Sequence, residues 1–289
     1  MNDSIITVSS ANEKFENFLK DQKRSSSTIV AYTNDISQLE KFLKEKGVSH
    51  VTAITQDLLE EFKSQLEKEG YTSKSISRKI NSLKTFFRFL EKEGVIKSNP
   101  AAAISHPKYE LKPPRILSKI EYRALRDACR NDVRISAIVE LMLQTGIRIS
   151  EVANLKLEDY KGESIYIRPY ESHSGRTIPL NKSARAALER YLAERPANIK
   201  EKTIFVTKTG RPFLVRNIRS SIERYFEQAE IKNAKVNDLR HTWVYYQLEG
   251  GVSAATIAKL AGHKRVSTTE KYLELIPNKK EQAAKLEEL

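Results

Sequence analysis

Prolines concentrated in one segment constrain the fold more than any other feature of this sequence. Residues 98–115 show no helical or strand periodicity, and they contain Pro100, Pro107, Pro113 and Pro114. Proline lacks a backbone N–H donor and disfavours helical geometry in the residue before it. The segment therefore predicts an extended linker between an N-terminal domain, residues 1–97, and a second domain, residues 116–289.

Apolar residues in the N-terminal domain recur at the spacing of four helices. Residues able to cap a helix precede three of these stretches, namely the hydroxyl cluster at residues 25–28, Thr55 and Ser73. The fourth stretch also carries a set of basic side chains: Lys74, Arg78, Lys79, Lys84 and Arg88. Such a set forms either a solvated face or a helix that lies on DNA phosphates, and the pattern alone leaves both readings open.

The second domain combines helices with a few short strands. Helices are expected from Ser118 to about Leu143, and helices resume after the turn at Gly210 and continue to the end of the chain. The stretches 164–170 and 176–180 predict a hairpin, and the stretch 203–206 predicts a third strand. The expected fold class is mainly α with a small antiparallel β-sheet.

The last stretch, residues 278–289, predicts a short helix with one apolar side. A helix of this length is marginal alone in water, because isolated helices below about 12–15 residues rarely persist. Its apolar side can pack on its own domain or on a neighbouring protomer, and we expect the neighbour.

Charge and cysteine content narrow the function classes. The formal net charge is +13 and the sequence pI is about 9.6, which favours a polyanionic partner such as nucleic acid. The single cysteine, Cys129, excludes an internal disulfide and is expected in the core. No stretch approaches the roughly 18 apolar residues of a membrane span, and no signal peptide is evident. We therefore expect a cytoplasmic protein without a membrane partner.

Three separated motifs together suggest chemistry on a phosphodiester. Residues 145–151 contain Arg148, residues 237–242 contain Arg240, and residues 260–272 contain His263 and Tyr272. Two arginines can hold the non-bridging oxygens of a phosphate, and a histidine can add a hydrogen bond or handle a proton. A tyrosine hydroxyl can attack phosphorus once its surroundings favour the phenolate. Guanidinium groups can neutralise the developing charge, so neither a metal nor another cofactor is expected.

At these motifs the chain resembles the tyrosine recombinases, or phage integrases, and looks most like their compact Xer-type members. The resemblance implies a helical core-binding domain followed by a catalytic domain, with Tyr272 as nucleophile and Arg148, Arg240 and His263 as its catalytic partners. It implies a 3′-phosphotyrosyl intermediate, a free 5′-hydroxyl and strand exchange by four protomers on double-stranded DNA, without ATP or metal. Arg176 and His241 are also expected to contact DNA.

Two positions depart from the family pattern. The family usually has a histidine where this chain has Asn237, whose amide can bond a phosphate but cannot exchange protons near neutral pH. The family also places a lysine in the hairpin, as the proton donor to the leaving 5′-oxygen, and this hairpin has none. His173 is the nearest candidate donor, and Lys161 and Lys208 are weaker ones.

These departures keep other functions open. A recombinase-derived protein could bind DNA as an architectural or regulatory factor while being slow or inactive in catalysis. A type IB topoisomerase would use similar chemistry, although the compact two-domain plan argues against it. The four matching catalytic positions favour an active site-specific recombinase that breaks and rejoins DNA. The sequence does not identify the DNA target or any accessory protein.

Overall fold

The computed structural model describes residues 6–110, 112–170, 173–196 and 199–277. The chain divides into two compact units, Met1–Leu111 and Lys112–Leu289. Residues 104–110 and 112–118 contain neither helix nor strand. The predicted tail helix, residues 278–289, lies outside the described residues.

The first unit is built from four helices: α1 (Val8–Asp21), α2 (Ser26–Glu45), α3 (Gln56–Lys68) and α4 (Ser73–Lys92). A hydroxyl caps the N-terminus of each. The predicted cap Thr55 is confirmed, and Ser25 is the member of the predicted cluster 25–28 that caps α2. The prediction of Ser73 as the cap of α4 is wrong, because Thr72 accepts the bond from the Ser75 amide and Ser73 is already helical. The apolar sides of all four helices meet in one core that includes Phe15 and Phe86.

A buried carboxylate ties α4 to α2. Asp35 is 2 % exposed and accepts hydrogen bonds from Lys79 (2.9 Å), Ser82 (2.7 Å) and both terminal nitrogens of Arg78. The ammonium of Lys79 also donates to Gln38 at 2.6 Å. Lys79 was expected on the phosphate-facing side of this helix, but its charge is used inside the unit. The guanidinium of Arg78 is partly exposed and can face a partner while it remains paired with Asp35.

Removal of this carboxylate should destabilise the first unit strongly. Asp35→Ala leaves the Lys79 ammonium buried and uncompensated, which typically costs about 3–5 kcal/mol of unfolding free energy. Urea unfolding of the whole chain, followed by circular dichroism, measures this loss. The fluorescence of Trp243, the only tryptophan, reports the second unit and should change little. Glu40→Ala is the matched control, since its partner Lys44 is exposed, and it should cost less than about 1 kcal/mol. Equal effects of the two substitutions would contradict this role of Asp35.

The second unit is a helical layer around one short hairpin. Its elements are α5 (Lys119–Cys129), α6 (Val133–Thr145), α7 (Ile149–Asn154), β1 (Ser164–Ile167), β2 (Arg176–Pro179), α8 (Lys182–Glu194), α9 (Val215–Gln228), α10 (Val236–Glu249), α11 (Ala254–Ala261) and α12 (Ser267–Glu270). The strands β1 and β2 are antiparallel, and Ile165 and Ile178 oppose each other with buried side chains. Helix α6 is buried along most of its length and packs on α8 and α10. The predicted fold class, mainly α with a small antiparallel sheet, is confirmed.

The prediction of a third strand at residues 203–206 is wrong. Thr203 pairs by one isolated bridge with Lys156, and Val206 pairs by another with Pro212. Ile204 and Phe205 between them are fully buried, so the apolar run reflects burial, and its backbone pairs through isolated bridges and not as a continuous strand. Cys129 is buried in the core as predicted, and burial raises its pKa to about 11. No helix in the described part of the chain is long and apolar enough to cross a membrane.

Candidate active site

A tight turn after α6 places Arg148. Gly146 ends α6 in the left-handed conformation, with φ of 62°, and a Cβ there would lie 2.2 Å from the ring of Trp243. Only glycine fits both the conformation and the contact. Two residues later Arg148 forms the N-cap of α7, and its backbone N–H donates to Glu151 at 2.9 Å. The turn therefore fixes the arginine at the start of a helix, with its side chain directed across the site.

The carboxylate of Glu151 holds two arginines. Arg176, on β2, donates to both of its oxygens at 2.8 Å, and Arg148 donates to one of them at 3.1 Å. The Glu151 side chain is 7 % exposed. Burial by itself would raise its pKa, but the hydrogen bonds and charges of Arg176 and Arg148 outweigh burial and lower the pKa. Glu151 is therefore ionised at neutral pH and orients both guanidinium groups.

The arginines converge on the end of helix α11. Arg176 donates to the carbonyl of Leu260 at 2.6 Å, and Arg148 donates to that of Gly262 at 2.8 Å. Arg148 and Arg240 both donate to the carbonyl of Ala261, at 3.2 Å and 2.8 Å. Terminal carbonyls carry the negative end of the helix dipole and attract cations.

Arg240 is also anchored to the turn after α6, where it donates to the carbonyl of Gly146. It is 5 % exposed, and burial together with the charge of Arg148 lowers its pKa to about 9. Arg240 lies near two further guanidinium groups, those of Arg148 and Arg176, and one carboxylate, Glu151, faces them. The three positive charges therefore repel one another. A second anion would relieve this repulsion, so the cluster is suited to bind one.

His263 follows the left-handed Gly262, where a Cβ would lie 2.9 Å from the guanidinium of Arg176. Its Nδ1 is 2.7 Å from the hydroxyl of the buried Thr269, on α12. Burial, and then the charges of Arg240 and Arg148, lower the pKa of His263 to about 4. The imidazole is therefore neutral at pH 7 and can donate a hydrogen bond without carrying charge.

Tyr272 lies just after α12, and its ring is 6 % exposed in a small apolar cluster with Trp243 and Val244. Its hydroxyl is 2.5 Å from Nδ1 of His241. Nε2 of the same histidine is 2.7 Å from the amide nitrogen of Asn237. Burial raises the pKa of Tyr272, although the charge of Arg240 opposes this rise.

His173 lies at the hairpin end of the same site. Its backbone N–H and carbonyl pair with those of Tyr170, at 3.0 Å and 3.1 Å. Burial, and then the positive charge of Arg148, lower its pKa, while Glu151 opposes the shift. The surroundings of His173 in the protein alone therefore favour its neutral form.

The structure brings seven predicted residues into one region of the second unit: Arg148, Arg176, Arg240, Asn237, His241, His263 and Tyr272. Arg176 is buried against Glu151 and His241 faces Tyr272, and the contact of these two residues with DNA stays a prediction. Sequence reasoning missed Glu151 as the anchor. Its position three residues after Arg148, the spacing of a capping box, was the available signal. No group of His, Cys, Asp and Glu side chains in the described ranges could hold a metal ion.

Comparisons with known proteins agree with this arrangement. Residues 115–279 match the phage integrase family, and residues 13–94 match the phage integrase N-terminal SAM-like domain. The chain is 31 % identical over 276 residues to the tyrosine recombinase XerC of Oceanobacillus iheyensis, covering 90 % of each protein. It is 29 % identical over 271 residues to XerD of Staphylococcus epidermidis, covering 90 % of this chain and 92 % of XerD.

Solved structures share the fold. A crystal structure of XerA recombinase is 25 % identical, with a TM-score of 0.53 over 92 % of this chain and 93 % of that one. A lambda integrase dimer bound to a core site has a TM-score of 0.75 at 19 % identity, and the match covers 91 % of this chain and 97 % of that one. The Tn1549 transposon integrase in complex with transposon right end DNA has a TM-score of 0.79 at 16 % identity, and the match covers 98 % of this chain and 99 % of that one.

The chain belongs to the phage integrase family and is a Xer-like tyrosine-type site-specific recombinase. The readings as an inactive DNA-binding derivative or as a type IB topoisomerase are not favoured by these relatives.

Proposed function

We propose that this recombinase cleaves one DNA strand by attack of Tyr272 on a backbone phosphate and rejoins it to a partner strand. The observation that carries the proposal is that Arg148 and Arg240 donate to the same carbonyl oxygen, that of Ala261. Two guanidinium groups held this close can also bind two oxygens of one phosphate. Tyr272 is linked to the same region through His241, the residue that follows Arg240.

Each step of the reaction has a candidate residue. The Oη–P bond to Tyr272 forms while the P–O5′ bond breaks, which gives a 3′-phosphotyrosyl linkage and a 5′-hydroxyl once O5′ has taken up a proton. Arg148 and Arg240 stabilise the charge on the phosphorane, and neutral His263 adds a hydrogen bond. The 5′-hydroxyl of a partner strand then attacks the linkage and releases Tyr272. The number of phosphate ester bonds is conserved, so the exchange needs neither ATP nor another cofactor.

His173 is our candidate for the acid that protonates the leaving O5′. Burial, and then the nearby charges of Arg148, Lys264 and Arg176, lower its pKa. Bound DNA phosphates would oppose that effect and favour the protonated form. Lys161 and Lys208 remain the weaker candidates.

Covalent capture tests the proposed function. Duplexes selected by binding from a randomised pool supply a site. A nick placed a few nucleotides downstream of the cleaved phosphate lets the short fragment that carries the new 5′-hydroxyl diffuse away. A denaturing gel should then show protein joined to the strand that ends in a 3′-phosphate. The proposal fails if selected DNA is bound tightly but never becomes covalently attached.

We also infer that helix α4 of the first unit binds the DNA backbone. Lys74, Arg78 and Arg88 are exposed, and their spacing of four and ten residues places them on one side of the helix. Residues 1–97 would thus act as the core-binding domain, residues 98–115 as the linker and residues 116–289 as the catalytic domain. A lambda integrase tetramer has been solved on a Holliday junction, and we infer four protomers for this chain as well.

Salt dependence should reveal this basic face. Each neutralised phosphate contributes about −0.9 to the slope of log K against log salt concentration. The double variant Lys74→Ala/Arg88→Ala should therefore flatten the slope by about two units when binding is titrated at several salt concentrations. The control, Lys20→Ala/Lys44→Ala, removes two exposed lysines that lie outside α4. Lys20 pairs with Glu16 within α1, and Lys44 pairs with Glu40 within α2. A slope that changes equally in both variants would place the DNA elsewhere.

A further inference from the structure

One imidazole links Asn237 to Tyr272. His241 lies one helical turn after Asn237 on α10, and its ring centre is 5.8 Å from that of Tyr272. Its Nε2 is 2.7 Å from the Asn237 amide nitrogen, and its Nδ1 is 2.5 Å from the Tyr272 hydroxyl oxygen. Asn237 is exposed, His241 is half-buried and Tyr272 is buried, so the chain of bonds runs from the surface to the attacking oxygen.

The amide fixes the tautomer of the histidine. An amide nitrogen only donates, so Nε2 must accept through its lone pair. The hydrogen of a neutral imidazole then lies on Nδ1, which must donate to the Tyr272 oxygen. In this arrangement His241 cannot take the phenolic proton at Nδ1, because that nitrogen already carries one.

The charges around His241 keep it neutral. Burial lowers its pKa, and Asp238 opposes this shift while Arg240 adds to it. His263 also lies nearby, and a positive charge on His241 would lower the pKa of His263. Among these groups, the arginine and the buried setting disfavour a second proton on His241, so a single N–H faces Tyr272 at neutral pH.

We propose that His241 positions and activates the nucleophile by donating its Nδ1 hydrogen to the Tyr272 oxygen, and that Asn237 is the positioning residue that selects this tautomer. The proposal rests on the proposed function of Tyr272 as the nucleophile. A hydrogen bond to an ionised acceptor is about twice as strong as a neutral one, so it stabilises the phenolate more than the phenol. This effect opposes the burial that raises the pKa of Tyr272.

The proton balance follows from the tautomer. When the Tyr272 Oη–P bond forms, the phenolic proton passes to water, and O5′ gains a proton from a separate acid. His241 ends the step with the hydrogen it started with. A residue that only directs this hydrogen need not exchange protons itself, so the amide of asparagine can serve at position 237.

Four variants test the proposal through the rate of adduct formation against pH, measured in single turnovers on the nicked duplex. His241→Leu removes the donor, and His241→Asn keeps an N–H near the position of Nδ1. Asn237→Asp replaces the donating amide with an acceptor and should move the hydrogen of His241 to Nε2. Tyr245→Phe is the matched control, because its hydroxyl bonds Glu249 on the same helix.

His241→Leu should slow adduct formation about 10- to 100-fold at neutral pH, the size expected for one hydrogen bond to a charged group. The rising limb of its pH profile should move about one to two units to higher pH. Asn237→Asp should show the same displacement, His241→Asn should recover most of the rate, and the control should match wild type. DNA affinity should be unchanged in the two His241 variants and the control, which distinguishes activation of Tyr272 from damage to the fold.

The outcomes distinguish the role of His241 as hydrogen-bond donor from the role of Tyr272 as nucleophile. If wild type forms adduct and His241→Leu has the same rate and pH profile, this inference is wrong and the proposed function stands. Equal losses in the leucine and asparagine variants without any displacement of the profile would also overturn it, because a structural role predicts that result. If wild type forms no adduct on DNA that it binds, the proposed function fails and this inference fails with it.

Discussion

Tyr272→Phe is expected to abolish covalent attachment to DNA completely while DNA affinity stays the same. The phenyl ring keeps its place in the apolar cluster with Trp243 and Val244, and only the hydroxyl and its bond to His241 are lost. Loss of that bond costs about 1 kcal/mol of stability, which leaves the fold intact. The attacking oxygen, by contrast, has no substitute in phenylalanine.

The measurement compares adduct on a denaturing gel with the dissociation constant of the same duplex. Tyr160→Phe is the control, because its hydroxyl bonds Glu189 outside the site. The control should form adduct like wild type. Adduct in the Tyr272→Phe variant at the wild-type rate would transfer the role of nucleophile to another residue.

His173→Ala is expected to slow cleavage of normal DNA by about 10²–10⁴, the usual contribution of a general acid. The substitution leaves the 5′-oxygen to depart without a proton. A duplex whose bridging 5′-oxygen is replaced by sulfur does not need protonation, so the variant should cleave it at nearly the wild-type rate. Lys161→Ala tests the weaker candidate in a neighbouring turn, and it should be normal on both duplexes if His173 is the acid.

The pH dependence of the same reaction has a defined sign. An acid works only while protonated, and the pKa of His173 is lowered by burial and by Arg148. The rate on normal DNA should therefore fall as the pH rises through that pKa, and the sulfur duplex should not show this fall. An equal loss on both duplexes would make His173 a binding residue, and no loss on normal DNA would return the role to Lys161, Lys208 or water.

Local patterns predicted the helices well, because caps and apolar stripes act over a few residues. Thr55, and the hydroxyl cluster 25–28 that contains the cap Ser25, were identified from hydroxyl residues before an apolar stripe. At α4 two neighbouring hydroxyl residues, Thr72 and Ser73, matched the same pattern, and Thr72 is the one that caps the helix. The predicted strand at 203–206 failed because a short buried run has no periodicity that separates a strand from an extended core segment.

Site residues that stand within a short sequence motif could be predicted. Contacts between residues on separate elements of the fold could not. Arg148, Arg240, His263 and Tyr272 stand in motifs that resemble a known family, so their sequence neighbours were sufficient. The pairing of Glu151 with Arg176 joins α7 to β2 over 25 positions. Neither residue alone indicates the other.

Lys79 shows the same limit in the first unit. It looked like its basic neighbours on α4, and only the distant Asp35 reveals that its charge is internal.

The most direct test of the account is to locate the DNA on the protein. Adduct trapped on a nicked duplex is digested with nuclease and protease, and mass spectrometry identifies the peptide that retains a nucleotide. We expect a nucleotide joined through its 3′-phosphate to Tyr272, with a free 5′-hydroxyl on the released strand. A nucleotide on another side chain, or a linkage through a 5′-phosphate, would contradict it.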